Sequence, residues 1–284
     1  MKRFFSMIAF VLSLAILAAC GSPSAPSPSS VPESTSPSPA PPEPSQTPGI
    51  TKLVIGLDDQ FPPMGFRNDQ NELVGFDIDL AKAVCDRLGI EAVPTPIDWS
   101  TKELELNGGK VDVLWNGLTI TDARKEAMLM SPAYVANAQV IVVRKDSGIK
   151  TLAELSGKIV ALQEASSADE AYQGCSAAGT EKELVKAPEN ISLFNDLKIG
   201  RIDAVVIDKV FADYYIAENS EGLLEVLEEQ LADEEYGIAF QKENQELAGL
   251  ILATLDELVK DGTAAQISQK WFGEDRILFS YPGA

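Results

Sequence analysis

From Lys52 onward the chain alternates short β-branched, apolar runs with longer stretches whose apolar positions recur every three or four residues. That alternation predicts strands interleaved with helices, an α/β architecture with mostly parallel strands. Lys52–Gly56 reads as the first strand. Ile78, Ala81, Val84, Cys85 and Leu88 share one face of a helix that Asp77 caps and Gly89 stops. An extended piece over Glu91–Ile97 follows, then a short helix capped by Ser100 or Thr101 and ended at Gly108-Gly109. Val111–Trp115 and Ala138–Val143 are the next buried strands.

The rhythm then restarts. A short helix over Thr151–Leu155, a strand over Lys158–Leu162 and a helix over Ala168–Ala178 precede a helix over Ser192–Ile199 that Gly200 closes. Ala204–Asp208 is a strand, Lys209–Asn219 a helix and Tyr236–Gln241 extended. Asn244–Lys260 is a long amphipathic helix, and a last helix reaches Trp271. Gly109-Lys110-Val111-Asp112-Val113 is echoed by Gly200-Arg201-Ile202-Asp203-Ala204. In both, a helix ends at glycine and a basic–aliphatic–Asp turn enters a buried strand, which suggests two similar halves.

The first twenty residues follow another logic. Met1-Lys2-Arg3 is basic, Phe4–Leu17 is apolar, and Ala18-Ala19 leads into Cys20. This is the layout of a secretory signal, too short to span ~30 Å of hydrocarbon at 1.5 Å per residue. With a cysteine directly after the small residues it resembles a bacterial lipoprotein signal, which implies that residues 1–19 are removed and Cys20 is lipidated. Gly21–Gly49 contains ten prolines, no aromatic residue and only Val31 as a larger aliphatic. Such a segment cannot bury enough apolar surface to offset its ordering entropy, so residues 20–49 read as a disordered, membrane-proximal tether.

Charge narrows the partners. The chain carries a formal −20, two units more negative once Lys2 and Arg3 leave with the signal. So acidic a body argues against nucleic acid. Histidine is absent throughout, which removes Ser-His-Asp, Cys-His and His-ligated zinc chemistry; no metal or cofactor is expected. Cys85 and Cys175 could pair in an exported protein, but a bridge between two lobes would lock a hinge, so they read first as buried free thiols filling small core positions.

Several stretches together resemble the polar amino-acid binding proteins of ABC importers. They are Ile55–Pro63, Gly75–Ala81, Leu118–Arg124, Gln163–Ala168, Gly200–Asp208, Tyr236–Ala239 and Asp261–Thr263. The resemblance runs from about Leu53 to Phe272 and implies a periplasmic-binding-protein-like fold: two α/β lobes joined by a two-strand hinge, with a ligand cleft between them. Lobe 1 would comprise residues 50–142 and 235–284, lobe 2 residues 143–234. It also implies a binding protein rather than an enzyme. Such a protein would be monomeric, anchored on the extracytoplasmic face of the cell membrane, and would pass its ligand to ABC permease subunits.

A free amino acid carries a carboxylate and an ammonium, and a dry pocket has to satisfy both charges. Arg124 matches the family's carboxylate arginine, a fork suited to two oxygens. Ser166 and Ser167, between a strand and a helix, match the loop that grips the same carboxylate. Asp208, at the carboxyl end of a buried strand, matches the ammonium partner, with Thr119 and the Gly117 backbone completing the cage. Phe61 and Trp99 match the aromatic walls, and Asp58 a carboxylate near the ligand's side chain, where Trp115 and Asn116 are also expected. Arg67 and Lys102 are the nearest cations in sequence. A polar neutral ligand such as glutamine or cystine is therefore expected first, lysine or arginine next, and glutamate and aspartate last. The competing readings are a dehydratase-like enzyme on the same fold, using Glu164 or Glu170 as acid or base, and a stalked sensor or adhesin.

Overall fold

The computed structural model describes residues 49–219 and 222–281; the expected signal, Cys20 and the stretch to residue 48 lie outside the described residues. The first half runs β1 (Lys52–Leu57), β2 (Gln60–Phe61), β3 (Gly65–Arg67), β4 (Leu73–Val74), α1 (Phe76–Leu88), β5 (Glu91–Pro96), α2 (Lys102–Asn107), β6 (Val113–Thr119), α3 (Asp122–Ala127) and β7 (Leu129–Met130). The long strand β8 (Val135–Arg144) leads into β9 (Ile159–Gln163), α4 (Ser167–Gln173), β10 (Glu183–Ala187), α5 (Asn190–Lys198), β11 (Ala204–Asp208), α6 (Lys209–Asn219) and β12 (Leu224–Val226). A second long strand, β13 (Ala232–Phe240), returns the chain to α7 (Gln245–Lys260) and α8 (Thr263–Phe272).

The main path of the sheet is β10-β9-β11-β8-β13-β6-β1-β5, and β2, β3 and β4 form a small separate sheet. Pairing is parallel within each half, β5-β1-β6 on one side and β10-β9-β11 on the other. The expectation of mostly parallel strands fails at the middle, where β8 pairs antiparallel with both β11 and β13, and β13 with β6. The strands β8 and β13 lie side by side from Val135–Tyr236 to Gln139–Ala232, then diverge. Beyond that stretch β8 runs on beside β11 and β13 beside β6. These two strands are the hinge of a two-lobed α/β fold.

The repeated Asp turn performs one task in both halves. Asp112 accepts the Val54 N–H at 2.7 Å and donates its own N–H to the Val54 carbonyl at 2.8 Å. Asp203 does the same to Ile159, at 2.8 and 2.9 Å. Each Asp thus locks the central strand to its parallel neighbour where the ladder begins, which sets the register for everything downstream.

Local expectations hold where the pattern is long and shift where it is short. Asn244 caps α7, accepting the Leu247 N–H at 3.3 Å. Asp98, rather than Ser100 or Thr101, caps the turn ahead of α2 by accepting the Ser100 N–H. The helix expected over Ala168–Ala178 ends at Gln173. Asp77 is no cap: Gly75 precedes α1 with φ 148°, and a side chain there would meet the Met64 carbonyl. Asp77 instead turns inward and is fully buried. Cys85 is buried, Cys175 half-buried, and both are free thiols.

Candidate functional site

The carboxyl ends of β1, β6, β9 and β11 converge, the position where α/β folds gather ligand contacts. A narrow, largely enclosed cavity lies there. Asp58 and Phe61 reach it just beyond β1, Trp99 from the helical turn after β5, Asn116 and Gly117 from β6, and Arg124 from α3. Gln163, Ser166 and Ser167 arrive from the end of β9 and the start of α4, and Asp208 from the last residue of β11.

Arg124 is 5 % exposed and makes no ion pair among the described residues. Thr121, which caps α3, accepts the Arg124 N–H at 3.2 Å, and Arg124 Nη1 donates to the Thr119 carbonyl at 2.7 Å. Burial holds this guanidinium below its usual range, opposed by the negative charges of Glu170, Glu234 and Asp208. Asp208 is its buried counterpart. One carboxylate oxygen accepts from Asn137 Nδ2 at 2.7 Å and from the Tyr236 hydroxyl at 2.8 Å. Burial first, then the charge of Glu234, pushes Asp208 up to about 7.

At the opposite end Asp58 accepts Gln163 Nε2 at 2.8 Å and the Gln60 N–H at 2.8 Å, while Asn116 Oδ1 accepts the Asp58 N–H at 3.1 Å. Burial raises Asp58 to about 6, against the pull of those two bonds. Asn116 Nδ2 is buried without a hydrogen-bond partner among the described residues. The walls are apolar: Phe61 packs against Phe211 with centroids 5.4 Å apart, and Lys102 Nζ lies 5.3 Å from the centre of the Trp99 ring.

Gly117 has φ 53°, and a Cβ there would lie 2.8 Å from the Phe61 ring. Its N–H donates to Asp77 Oδ2 at 2.7 Å, and the Tyr134 hydroxyl donates to the same oxygen at 3.0 Å. Asp77 therefore fixes a cavity peptide from behind. Ser166 Oγ donates to the Gln163 carbonyl at 2.7 Å and leaves the first turn of α4 without a side-chain cap.

Nine of the expected site residues line this one cavity: Asp58, Phe61, Trp99, Asn116, Gly117, Arg124, Ser166, Ser167 and Asp208. Thr119 lies at its edge, where its hydroxyl is 3.0 Å from Ser167 Oγ and it lines the adjoining open groove. Trp115 is a correction. It is fully buried with its ring edge-on to Tyr134, because side chains alternate along β6 and Asn116 takes the cleft side. Arg67 pairs with Asp59 at the surface, away from the cavity. Lys102 is buried, donating to the Trp99 carbonyl at 3.2 Å and the Ala165 carbonyl at 2.7 Å. Sequence reasoning missed Gln163 as a lining residue; its signal was a polar side chain closing an otherwise apolar strand, Ile159–Gln163.

Comparison with known proteins bears on this geometry. Residues 53–274 match the family model of bacterial extracellular solute-binding proteins, family 3. The chain is similar to the L-cystine-binding protein TcyJ of Escherichia coli K12, 31 % identical over 229 residues that cover 78 % of this chain and 83 % of that protein. It also resembles a substrate-binding protein of an ABC uptake transporter from Streptococcus pneumoniae, solved with bound histidine (38 % identity, TM-score 0.77, covering 80 % and 95 % of the two chains). An ancestral arginine-binding protein solved with arginine matches at 39 % identity and TM-score 0.73, over 78 % of this chain and 98 % of that one.

Proposed function

Because the chain belongs to the bacterial extracellular solute-binding proteins of family 3, we propose that it captures one free polar amino acid outside the cytoplasmic membrane. It then delivers that amino acid to the permease of an ABC importer. The observation that carries this reading is one cavity holding both a buried guanidinium with no ion-pair partner among the described residues and a buried carboxylate. Arg124 takes the ligand's carboxylate with the backbone N–H groups of Ser166 and Ser167; Asp208 takes its ammonium, beside Thr119 and Gly117. Phe61 and Trp99 close over the ligand's side chain. Lobe 1 is residues 50–142 and 235–284, and lobe 2 residues 143–234, a division supported by the divergence of β8 from β13 beyond their shared stretch.

Asp58 narrows the ligand. It is a buried carboxylate with no basic side chain paired to it among the described residues, so the ligand's far end has to donate hydrogen bonds. The amide of glutamine or the second ammonium of cystine meets that need, and arginine or lysine comes next. A second carboxylate, as in glutamate, would be buried against Asp58 at a cost of several kcal/mol. Glu164 is half-buried, Glu170 is exposed, and neither lines the cavity, which supports binding without covalent chemistry.

A thermal-shift screen of the proteinogenic amino acids and cystine should find a ligand that raises the melting temperature. Arg124→Ala and Asp208→Ala should each then lose several kcal/mol of affinity by calorimetry, since each leaves an opposite ligand charge buried and unpaired. Stabilisation by glutamate alone, or unchanged affinity in both variants, would sink this reading.

A further inference from the structure

Glu234, on β13, occupies a position that no family motif marked. One of its oxygens, Oε2, accepts from Thr119 Oγ1 at 3.0 Å, Asn137 Nδ2 at 3.0 Å and Gln139 Nε2 at 2.9 Å, with Ser167 Oγ at 3.5 Å. The network has a direction. Gln139 Nε2 also donates to Ser167 Oγ at 3.2 Å, and Ser167 and Thr119 share a hydrogen bond of 3.0 Å. Glu234 only accepts when ionised, and its 3.0 Å contact with Thr119 is shorter than the 3.5 Å one with Ser167, so Thr119 gives it its hydroxyl proton and takes the proton of Ser167. The free lone pair on Thr119 is then an acceptor, suited to an ammonium rather than a carboxylate. Asn137 joins the same oxygen to the other anion, since its Nδ2 lies 2.7 Å from Asp208 Oδ1.

We infer that Glu234 is the second carboxylate of the ammonium subsite, a positioning residue that orients Thr119 and Ser167 across the hinge and adds negative charge beside Asp208. The inference rests on the assignment of Asp208 to the ligand's ammonium. Pairing of this kind couples binding to a proton. Asp208 faces Arg124 from α3 and Glu234 and Tyr236 from β13, and burial together with Glu234 raises it to about 7. Below that pH the free protein holds a proton that the ligand's ammonium must displace, so affinity climbs as pH rises towards 7 and levels while the ligand's ammonium stays protonated.

The test is calorimetry from pH 5 to pH 9 with L-glutamine, L-cystine, L-histidine and L-arginine as probes, on the unaltered protein, Glu234→Gln, Glu234→Asp and Arg124→Ala. Glu234→Gln should bind about tenfold more weakly at pH 8, the loss of one charge-assisted contact. Its pH midpoint should also move lower, because Asp208 loses its negative neighbour; Asp58, the cavity's other raised carboxyl, titrates alike in all four proteins. Glu234→Asp keeps the charge and should keep the midpoint, which carries the test if Glu234→Gln fails to fold. A residue with a purely structural role would weaken binding without moving the midpoint. If Arg124→Ala abolishes binding while Glu234→Gln retains the original affinity and midpoint, the inference fails alone. If no probe binds the unaltered protein, both it and the proposed function fall.

Discussion

Asp77 brings a carboxyl into the apolar interior to hold one peptide, the Gly117 N–H at 2.7 Å. Burial lifts it from its ordinary 3.8 to about 7, only partly offset by the hydrogen bonds of Tyr134 and Gly117. Below 3.8 both folded and unfolded chains hold the proton, so Asp77 adds no pH dependence there. Between 3.8 and about 7 the folded chain binds the extra proton, so stability falls as pH rises across that window. Asp77→Asn keeps an acceptor for Gly117 and removes the titration. Its melting temperature should therefore drop less than that of the unaltered protein between pH 4 and pH 8, by about 2–4 °C for each kcal/mol no longer lost. Equal drops in both proteins would show that the carboxyl does not titrate with folding. The sequence marked Asp77 as a helix cap because position and residue type suited one; only the inward turn of α1 reveals the other role.

The connection between β9 and α4 combines two unusual features. Ala165 adopts φ 53°, in the left-handed region that disfavours a Cβ, and its carbonyl accepts the buried amine of Lys102 at 2.7 Å. Burial, then the nearby Arg124, lowers that amine to about 8. The left-handed conformation costs an alanine about 1–2 kcal/mol. Ala165→Gly should therefore raise stability by up to about 1 kcal/mol, part of the gain being returned to the freer unfolded chain. A denaturant midpoint that falls instead would mean the loop is not strained. The helices α6 and α7 and the strand β11 were legible because sustained periodicity or a continuous apolar run leaves one good solution. The edge strand β10, with its Leu184-Val185 core between charged residues, and the two-residue strands carry too little pattern to be read alone.

At the scale of the whole molecule, contacts from far apart in the chain close the cavity. Asp58 meets Gln163 at 2.8 Å, Thr119 meets Ser167 at 3.0 Å and Phe61 packs on Phe211. A ligand can reach so enclosed a space only if these contacts part, which assigns β8 and β13 the hinge motion expected of two lobes. The N-terminal prediction belongs to this scale too. We propose that Cys20 carries the lipid and the Pro/Ser-rich stretch spaces the binding domain from the membrane. Cys20→Ser should release the protein into the soluble fraction, where size exclusion should find a monomer with an unchanged melting temperature. A variant that stays with the membrane would exclude the lipid anchor.

The sequence alone determined the α/β class, most of the helices and main strands, and nine of the ten residues lining the cavity. Those properties rest on local periodicity and on motifs short enough to be read in place. Tertiary structure decided what depends on residues distant in the chain: the antiparallel crossing of β8 and β13, the choice of Asn116 rather than Trp115 to line the cavity, and the direction of Lys102. It also decided the place of Glu234, an ordinary half-exposed acid in the linear pattern. Strand pairing puts it opposite Asn137 and within reach of Thr119 and Ser167, because hydrogen bonding and burial depend on what the fold brings alongside a side chain.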